Sequence, residues 1–273
     1  MSPSRSPGQR ALAVAAALAA VAALWLAVAY LVAPGVWRHV ERQQSAAGLG
    51  ARTVTAQGIP GDVINVGLEG DEDDLQCAMA AAGWSPADPV TLASSLKIVG
   101  SVAFRRPYVH APVSALLFDG RRQDFAFEAS SGVDAGVRHH VRFWKAPAAG
   151  DGGRPVWLGA ATFDRGVGVS HYTGQITHHI APDVDAERDL LMENLVAAKR
   201  VARTYWVDGV GPTVSGRNGG GDPFFTDGEI AFADLAPGCG PATAPTRTEA
   251  PPPRIAVRSA IYAWILAARR LLP

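Results

Sequence analysis

An unbroken apolar run near the N-terminus is the strongest pattern in the chain. Residues 11–33, ALAVAAALAAVAALWLAVAYLVA, contain no charged side chain. A helix of this length rises about 34 Å at about 1.5 Å per residue, which is enough to cross the apolar core of a bilayer. Pro34 and Gly35 follow the run and favour the end of a helix there. The pattern predicts one transmembrane anchor over residues 11–33.

A cleaved secretory signal is the alternative for the same run. Arg5 and Arg10 form a basic leading segment, and Ala27-Val28-Ala29 is a small-x-small cleavage motif. The apolar part of a signal is normally about 7–15 residues long, so this run favours an uncleaved anchor in the cell membrane. Because Arg38 and Arg42 follow the run, charge hardly distinguishes its two sides. An extracytoplasmic domain is slightly favoured.

The middle of the chain mixes two hydrophobic periods without a regular βαβ alternation or a repeat. A period of two predicts strands at 62–70, 114–120, 122–130, 136–146, 154–166, 174–180 and 229–235. A period near 3.6 predicts helices at 71–84, 89–104 and 182–204. Asp119-Gly120 predicts a hairpin turn. We expect an α+β fold: a mainly antiparallel sheet packed by two or three helices, plus the N-terminal transmembrane helix.

The two ends of the chain differ in composition from the middle. Residues 255–273 read as a helix that is too short and too rich in arginine to span a bilayer, so we expect it on the membrane surface or packed on the domain. We therefore divide the chain into a basic N-terminal segment (1–10), the transmembrane anchor (11–33), a juxtamembrane linker (34–52), the central domain (53–236), a Pro-rich linker (237–254) and a basic amphipathic C-terminal helix (255–273).

Composition and charge narrow the function. Lys+Arg and Asp+Glu both number 25, so net charge gives no attraction to nucleic acid, and we expect no such partner. Cys77 and Cys239 form no CxxC pattern, which excludes a cysteine-rich zinc site. Two unpaired thiols are the favoured interpretation, because Cys77 lies among apolar residues of a predicted helix. A disulfide is the alternative in an oxidising compartment.

A histidine cluster is the main chemical signal. Imidazole titrates near neutral pH and ligates metals, so the cluster suggests acid/base chemistry or a divalent ion. On strand 136–146, alternation places His140 with Arg138 and Arg142 on one face and His139 on the apolar face. On strand 174–180, it groups His178 with two isoleucines and leaves His179 among polar residues. His140 and His179 are then the favoured site members.

Anion-binding groups accompany these histidines. The forked guanidinium of Arg142 suits a phosphate or carboxylate oxygen. The predicted helix start near Pro182 adds free N–H groups, so His179 and Asp185 could hold an anion or a metal-bound phosphate there. Because Arg188 shares a helical face with Asp185, a structural ion pair is the alternative for that arginine.

Known catalytic motifs are missing from the sequence. Neither HExxH nor HxH is present, the Gly-rich stretch 215–229 lacks the GK[ST] of a P-loop, and Ser170 has no GxSxG elbow. Asp164 and Asp227 stand close to glycines, which favours a role in turns. Three interpretations of the histidines stay open: a metal or acid/base site, ligand binding without catalysis, and hydrogen-bonded structural residues.

Four segments resemble the LssY C-terminal domain family, over about residues 60–235: RHHVRFW (138–144), VWLGAATFDRGVG (156–168), THHIAPDVDAERDLL (177–191) and GDPFFTDGE (221–229). In that family the domain occurs alone or attached to membrane-spanning modules, including lipid-phosphatase-like and DedA-like segments. The resemblance implies a membrane-linked role and no particular reaction, and no phosphatase chemistry is carried over. It adds weight to His178. The matching polar positions are His139, His140, Arg142, Asp164, His178, Asp185, Arg188 and Asp227.

Together these features lead us to expect an envelope protein that binds or hydrolyses an anionic lipid or lipid precursor, such as a phosphorylated one. Membrane lipid and envelope proteins are the expected partners, and a divalent metal is the candidate cofactor. The alternative is a non-catalytic binding or assembly module with structural histidines. The candidate residues are His140, His178, His179 and Asp185 for catalysis, Arg142 and Arg188 for substrate binding, and His140 and His179 for a metal.

Overall fold

The structure is a computed structural model, and it describes residues 6–32, 52–88, 114–134, 136–150, 153–209 and 215–253, with residues 255–257, 260 and 264. The helices are α1 (Pro7–Ala27), α2 (Glu72–Ala81) and α3 (Val184–Ala197). The strands are β1 (Arg52–Thr55), β2 (Pro60–Val63), β3 (Val66–Glu69), β4 (Ser85–Pro86), β5 (Leu116–Phe118), β6 (Arg121–Arg122), β7 (Phe125–Asp134), β8 (Val137–Ala149), β9 (Pro155–Val169), β10 (Ile176–Ile180), β11 (Val201–Asp208), β12 (Gly216–Arg217), β13 (Pro223–Phe224), β14 (Glu229–Leu235) and β15 (Arg247–Thr248).

The N-terminal helix has the length and composition of a membrane span. Ser6 caps α1 in a capping box with Gln9, and a π-helical turn at Val28–Val32 extends the helix. The most apolar 18-residue stretch within Pro7–Val32 has a mean hydropathy of 2.5, and none of that stretch is buried in the protein. An apolar helix whose side chains stay exposed along most of its length needs an apolar solvent. It is the candidate transmembrane helix that the sequence predicted.

The main sheet is antiparallel along most of its width. Its strand order is β15-β11-β14-β3-β9-β8-β7-β4, and β10 pairs with β9 beyond the end of β3. The pairs β3–β14 and β11–β15 are parallel, and the remaining pairs in this sheet are antiparallel. The predicted α+β fold with a mainly antiparallel sheet is confirmed.

The two faces of the main sheet bury different chemistry. One face packs under the helices, where Leu75 and Met79 of α2 and Leu191 of α3 join Val141 and Phe143 of β8 in the largest apolar core. Alternation sends the next residues of β8 to the opposite face. That face changes along the strands from polar to apolar, through the cross-strand pairs Arg138–Asp164, His140–Thr162, Arg142–Ala160 and Trp144–Leu158.

A small sheet covers the apolar end of this second face. Its strand order is β2-β1-β5-β6, and Leu116 of β5 packs with Trp144 and Ala160 in a second core. The predicted turn at Asp119-Gly120 is confirmed, because both residues have the positive φ of a tight hairpin turn. The predicted partner strand 122–130 is wrong as one element: β6 pairs with β5, whereas β7 pairs with β8 in the main sheet.

The C-terminal boundary of the last predicted helix is also wrong. Helix α3 ends at Ala197, because Lys199 adopts φ 56° and the amides of Lys199 and Arg200 bond back to Val196 and Leu195. This is the Schellman arrangement that terminates helices. The β-branched and aromatic residues that follow form β11 instead. The predicted helix 89–104 lies outside the described residues, as does most of the predicted helix 255–273.

A disulfide joins α2 to the segment after the last core strand. Cys77 and Cys239 are bonded, with their Cα atoms 5.2 Å apart, so the interpretation as unpaired thiols is wrong. Asp74 in the same helix accepts from Arg154 and from the amide of Gly238, which brings the segment after β14 against α2. Spacing in sequence gave no signal for this pairing, because 162 residues separate the two cysteines.

Candidate functional site

A cleft of about 910 Å³ opens on the second face of the main sheet, beyond the edge of the small sheet. We call it the cleft throughout. Its floor comes from β8 and β9, and its walls come from the small sheet, the β9–β10 hairpin and the Gly-rich loop. The polar residues on which its chemistry depends are Asp62, Arg138, His140, Arg142, Asp164 and His178.

His140 is the centre of the cleft floor and is only 2% exposed. Its Nε2 lies 2.8 Å from NH1 of Arg142 and 2.8 Å from the hydroxyl of Thr162. Its Nδ1 lies 3.2 Å from Oδ2 of Asp164. A guanidinium can only donate, so Nε2 is the acceptor and Nδ1 carries the proton towards Asp164. A nitrogen already bonded to an arginine is poorly placed to ligate a metal or to transfer a proton.

Asp164 gathers several positive or polar groups around one buried carboxylate. Arg138 donates to its Oδ2 at 3.1 Å and to Glu128 at 2.9 Å. Burial raises the pKa of Asp164, but His140, His178 and Arg138 together lower it by more than burial raises it. The pKa of the carboxyl is therefore well below its usual value. The prediction of a turn role for Asp164 is wrong, because the residue lies inside β9.

Arg142 crosses from the floor to the small sheet. It donates to Asp62 at 3.1 Å and to the carbonyl of Ser114 at 2.8 Å. Burial lowers its pKa, and the nearby Arg138 lowers it further, against the opposing effect of Asp62 and Asp164. Arg142 is therefore a cation that lines the cleft and is partly neutralised by a carboxylate.

The structure separates the two neighbouring histidines of β10. Ile180 pairs with Asp164, and a register shift follows before His179 pairs with Gly166. His178 shares the Ile180 face by alternation, lines the cleft and acts electrostatically on Asp164. His179 turns the other way, over Gly168, where a Cβ would come within 2.3 Å of its ring.

His179 belongs to a second polar group behind the cleft wall. Its Nδ1 bonds to Oδ1 of Asp222 at 2.7 Å, and the ring of His171 lies 5.4 Å away. Among the described residues, His171, His179 and Asp222 form the group whose donor atoms are close enough to share a metal ion. His140 is not part of it, so the residues predicted as a metal pair lie in two separate groups.

Asp185 and Arg188 form a third group at the start of α3. Arg188 binds both carboxylate oxygens of Asp227 at 2.8 and 3.0 Å, and it contacts Asp189 at 2.8 Å and Asp185 at 3.4 Å. Its guanidinium also stacks 4.8 Å from the ring of Trp206. The structural ion pair suggested by helical spacing is therefore present.

The carboxyl of Asp185 is perturbed in the opposite direction to that of Asp164. Burial raises the pKa of Asp185 to about 6, the nearby Asp227 raises it as well, and Arg188 opposes both. Asp185 accepts from the hydroxyl of Thr226 and the amide of Asp227. These bonds hold the loop before β14 onto α3.

His139, which alternation placed on the apolar face, lies under the helices. Its Nδ1 is 2.9 Å from the buried carboxylate of Glu187, and its ring contacts Phe163. The side chain is 24% exposed, so it is an ion-paired residue at the edge of the core rather than a sealed core residue. Alternation assigned its face correctly, and only the packed helix supplied its partner.

The sequence missed several members of the cleft floor. Thr162 and Glu128 each sit directly opposite His140 on a neighbouring strand, and Asp62 comes from β2. Pairing the predicted strands 136–146 and 154–166 in register would have located Thr162 and Asp164. No sequence signal located Asp62, because it reaches Arg142 across two sheets.

The candidate membrane helix ends beside the cleft. Gln175 of the β9–β10 hairpin donates to the carbonyl of Ala29 at 2.9 Å, and the amide of Ile176 lies 3.4 Å from the hydroxyl of Tyr30. Gln175 and Ile176 also line the cleft. Ile176 and its cross-strand neighbour Val169 are 65% and 51% exposed. One wall of the cleft therefore carries exposed apolar side chains next to the end of the candidate span.

Comparison with known proteins gives one result. No curated protein and no solved structure matches the chain. The family model described as LssY C-terminus matches residues 37–230, which include the cleft floor, the β9–β10 hairpin, α3 and the Gly-rich loop. The match covers well over half of the chain and agrees with the four segments noted in the sequence, so the chain belongs to the LssY C-terminus family.

Proposed function

We propose that the protein is a membrane-anchored envelope protein whose cleft binds the anionic headgroup of a membrane lipid or lipid-linked precursor. The observation that carries the proposal is the position of the cleft: its Gln175–Ile176 wall contacts the last turn of the candidate membrane helix. A ligand that stays in the bilayer can reach a cleft only at such a position. Exposed Val169 and Ile176 would rest on the same membrane surface.

The floor of the cleft supports recognition of a polar group. Arg142 and His178 line it, and their donors suit phosphate or carboxylate oxygens. Asp62 pairs with Arg142, and Asp164 interacts electrostatically with His178, so the site is held in place before ligand binds. Preorganised polar groups at the base of a concave site are typical of ligand-binding clefts.

Binding without hydrolysis is the better supported half of the proposal. His140 is enclosed by Arg142, Thr162 and Asp164, and a general base must instead reach the proton that it abstracts. Asp185 and Arg188 are occupied in the cluster at the start of α3. The buried floor therefore favours a binding role over acid/base catalysis by these residues.

A cleft-filling substitution tests the proposal without disturbing the floor. Ala115 lines the cleft and is half-buried, so Ala115→Trp should occupy the ligand space. The full chain in lipid nanodiscs would be titrated with inorganic phosphate, a short-chain phosphatidic acid and an uncharged short-chain lipid, with calorimetry as the measurement. We expect saturable binding of the anionic lipid, weaker binding of phosphate, and at least about tenfold weaker lipid binding by the variant.

The matched control is Ala148→Trp, which adds the same side chain at an exposed position of β8 outside the cleft. It should bind as the parent does. Equal binding by Ala115→Trp and the parent would reject the cleft as the site. Release of phosphate in the parent samples, abolished by Ala115→Trp, would show hydrolysis and overturn the preference for binding alone.

We also propose that the domain lies outside the cytoplasm, because the disulfide Cys77–Cys239 persists in oxidising compartments and is rare in reducing ones. Alkylation of intact cells with a mass-tagged thiol reagent, followed by denaturation, measures the bond. No tag should appear unless a reductant is added first. Two tags without reductant would place the domain in the cytoplasm.

A further inference from the structure

A second group of ligand-type side chains lies behind the cleft wall, where the Gly-rich loop meets the β9–β10 hairpin. Asp222 of that loop is fully buried. Its Oδ1 bonds to Nδ1 of His179 at 2.7 Å, and its Oδ2 accepts from the amide of Ile180 at 3.2 Å. The carboxylate is therefore fixed in position, with one oxygen turned towards imidazole.

A second imidazole faces the same oxygen without bonding to it. Nε2 of His171 lies 3.9 Å from Oδ1 of Asp222, which is too long for a hydrogen bond, and its side chain is 60% exposed. An exposed histidine gains little by pointing at a buried carboxylate from that distance. The separation between His171 and Asp222 is that of two ligands bridged by a cation rather than of a direct contact.

The separations fit a small divalent ion. Ligand atoms about 2.1 Å from a tetrahedral zinc ion lie about 3.4 Å from one another. The donor atoms of His171, His179 and Asp222 all lie within 4.8 Å of one another, and the His171–Asp222 separation exceeds the tetrahedral value by about half an ångström. The exposed ring of His171 can supply that shift by rotation, without movement of the backbone. The His179–Asp222 hydrogen bond, at 2.7 Å, is shorter than the tetrahedral value and would open as the ion replaced its proton.

We propose that His171, His179 and Asp222 bind one divalent transition-metal ion of the Zn²⁺ type. Two imidazoles and a carboxylate are the donor set that such ions prefer over Ca²⁺ or Mg²⁺, which take oxygen ligands. Three protein ligands leave a further coordination position for water. The site is separate from the His140 floor, so it does not depend on the ligand proposed for the cleft.

The surrounding bonds position these ligands. The amide of His171 donates to the carbonyl of Gly220 at 2.8 Å, and Asn218 and Asp222 exchange backbone and side-chain bonds across the loop. Gly221 has φ 87° and lies against His171, where a Cβ would come within 2.6 Å. Such supporting contacts fix ligand orientation in metal sites.

The ion would join the two segments that form one side of the cleft. Asn218–Gly220 and the hairpin residues Ser170 and Thr173 both line the cleft, and each segment supplies ligands immediately beside its lining residues. Metal binding would therefore hold the β9–β10 hairpin and the Gly-rich loop together. In the metal-free form, the His179–Asp222 bond and the His171–Gly220 bond remain to join them.

Arg165 provides a variant with the opposite effect. Its NH2 lies 3.9 Å from Oδ1 of Asp222, and its side chain is 55% exposed. A cation at that distance opposes the approach of a metal ion, and it is screened only in part. Arg165→Gln should therefore strengthen metal binding, by about two- to fivefold.

The test is equilibrium binding of Zn²⁺ to the full chain in detergent, after chelator treatment and with a purification tag that contains no histidine. We expect one ion per chain. His171→Ala changes an exposed side chain and should weaken binding at least about tenfold, and Asp222→Asn should do so more strongly. Circular dichroism would confirm that both variants fold. If Asp222→Asn does not fold, His171→Ala and Arg165→Gln decide the matter between them.

His139→Gln is the matched control, because it removes an imidazole that is paired with Glu187 away from this group. It should bind Zn²⁺ as the parent does. Hydrogen exchange supplies a second readout: Zn²⁺ should slow exchange of the amides of residues 218–222 in the parent and not in His171→Ala. No saturable binding by the parent, or equal binding by the parent and His171→Ala, would overturn the proposal.

Discussion

Two buried clusters combine arginine with aspartate in this protein, and they perturb the carboxyl groups in opposite directions. In the cleft floor, the pKa of Asp164 is lowered, since its burial is outweighed by His140, His178 and Arg138. At the start of α3, burial and the neighbouring Asp227 raise the pKa of Asp185 to about 6. The same residue type is stabilised as an anion in one cluster and as an acid in the other.

The difference lies in the basic and acidic side chains that surround each carboxylate. The cleft floor supplies three basic side chains to Asp164, whereas Arg188 is shared by Asp185, Asp189 and Asp227. Desolvation opposes the charged carboxylate in both clusters. The basic and acidic neighbours therefore decide whether the pKa of each aspartate is lowered or raised. Asp164 therefore keeps its charge in the cleft floor, and the cluster at the start of α3 depends on its single arginine.

Removal of that arginine should produce the largest effect. Arg188→Leu leaves Asp185 and Asp227 buried without their cation, which typically costs about 3–5 kcal/mol of the free energy of unfolding. Urea unfolding of the full chain in detergent measures it through the buried tryptophans. Arg203→Leu, which breaks a half-exposed pair with Asp234, should cost about 1 kcal/mol or less. Equal losses would mean that Arg188 is not the centre of its cluster.

A smaller loss is expected in the cleft floor. Asp164→Asn removes one anion from a network in which Arg138 keeps its bond to Glu128, so we expect a loss of about 1–3 kcal/mol at neutral pH. Because folding lowers the pKa of Asp164, this contribution exists above the ordinary pKa of 3.8 and is lost as the pH falls through the lower folded value.

The contribution of Asp164 is measured from the free energy of unfolding as a function of pH on the acid side. The parent should lose more stability than Asp164→Asn as the pH falls below 3.8. Glu193→Gln, at an exposed position of α3, should follow the parent curve. Identical acid limbs for the parent and Asp164→Asn would show that the carboxyl is not stabilised as an anion.

Asp185→Asn should change stability least at neutral pH, by about 1 kcal/mol or less, because it removes an unfavourable charge together with part of two hydrogen bonds. Its effect appears in the pH dependence. Folding raises the pKa of Asp185 from 3.8 to about 6, so the folded state binds the proton more tightly and stability falls as the pH rises through that window. The slope should become flatter in the variant; an unchanged slope would assign the raised pKa to another group.

Local patterns were enough to locate most elements. The apolar run predicted the N-terminal helix, and alternation predicted β8, β9, β10 and β14 near their observed bounds. They failed at the end of α3, where a left-handed Lys199 stops the helix without the glycine that usually signals such a stop. The faces of β8 were predicted correctly, because its pairing with β9 is regular from Val137 to Lys145 and the period is kept there.

The sequence by itself determined the membrane-type helix, the α+β class, the family and the clustering of histidines, since each depends on the order of residues along one segment. The tertiary structure alone decided which histidines meet. It placed His178 beside Asp164 and His179 beside Asp222, and it joined Cys77 to Cys239. Those contacts depend on strand register and on segments far apart in sequence, and neither is encoded in any local period.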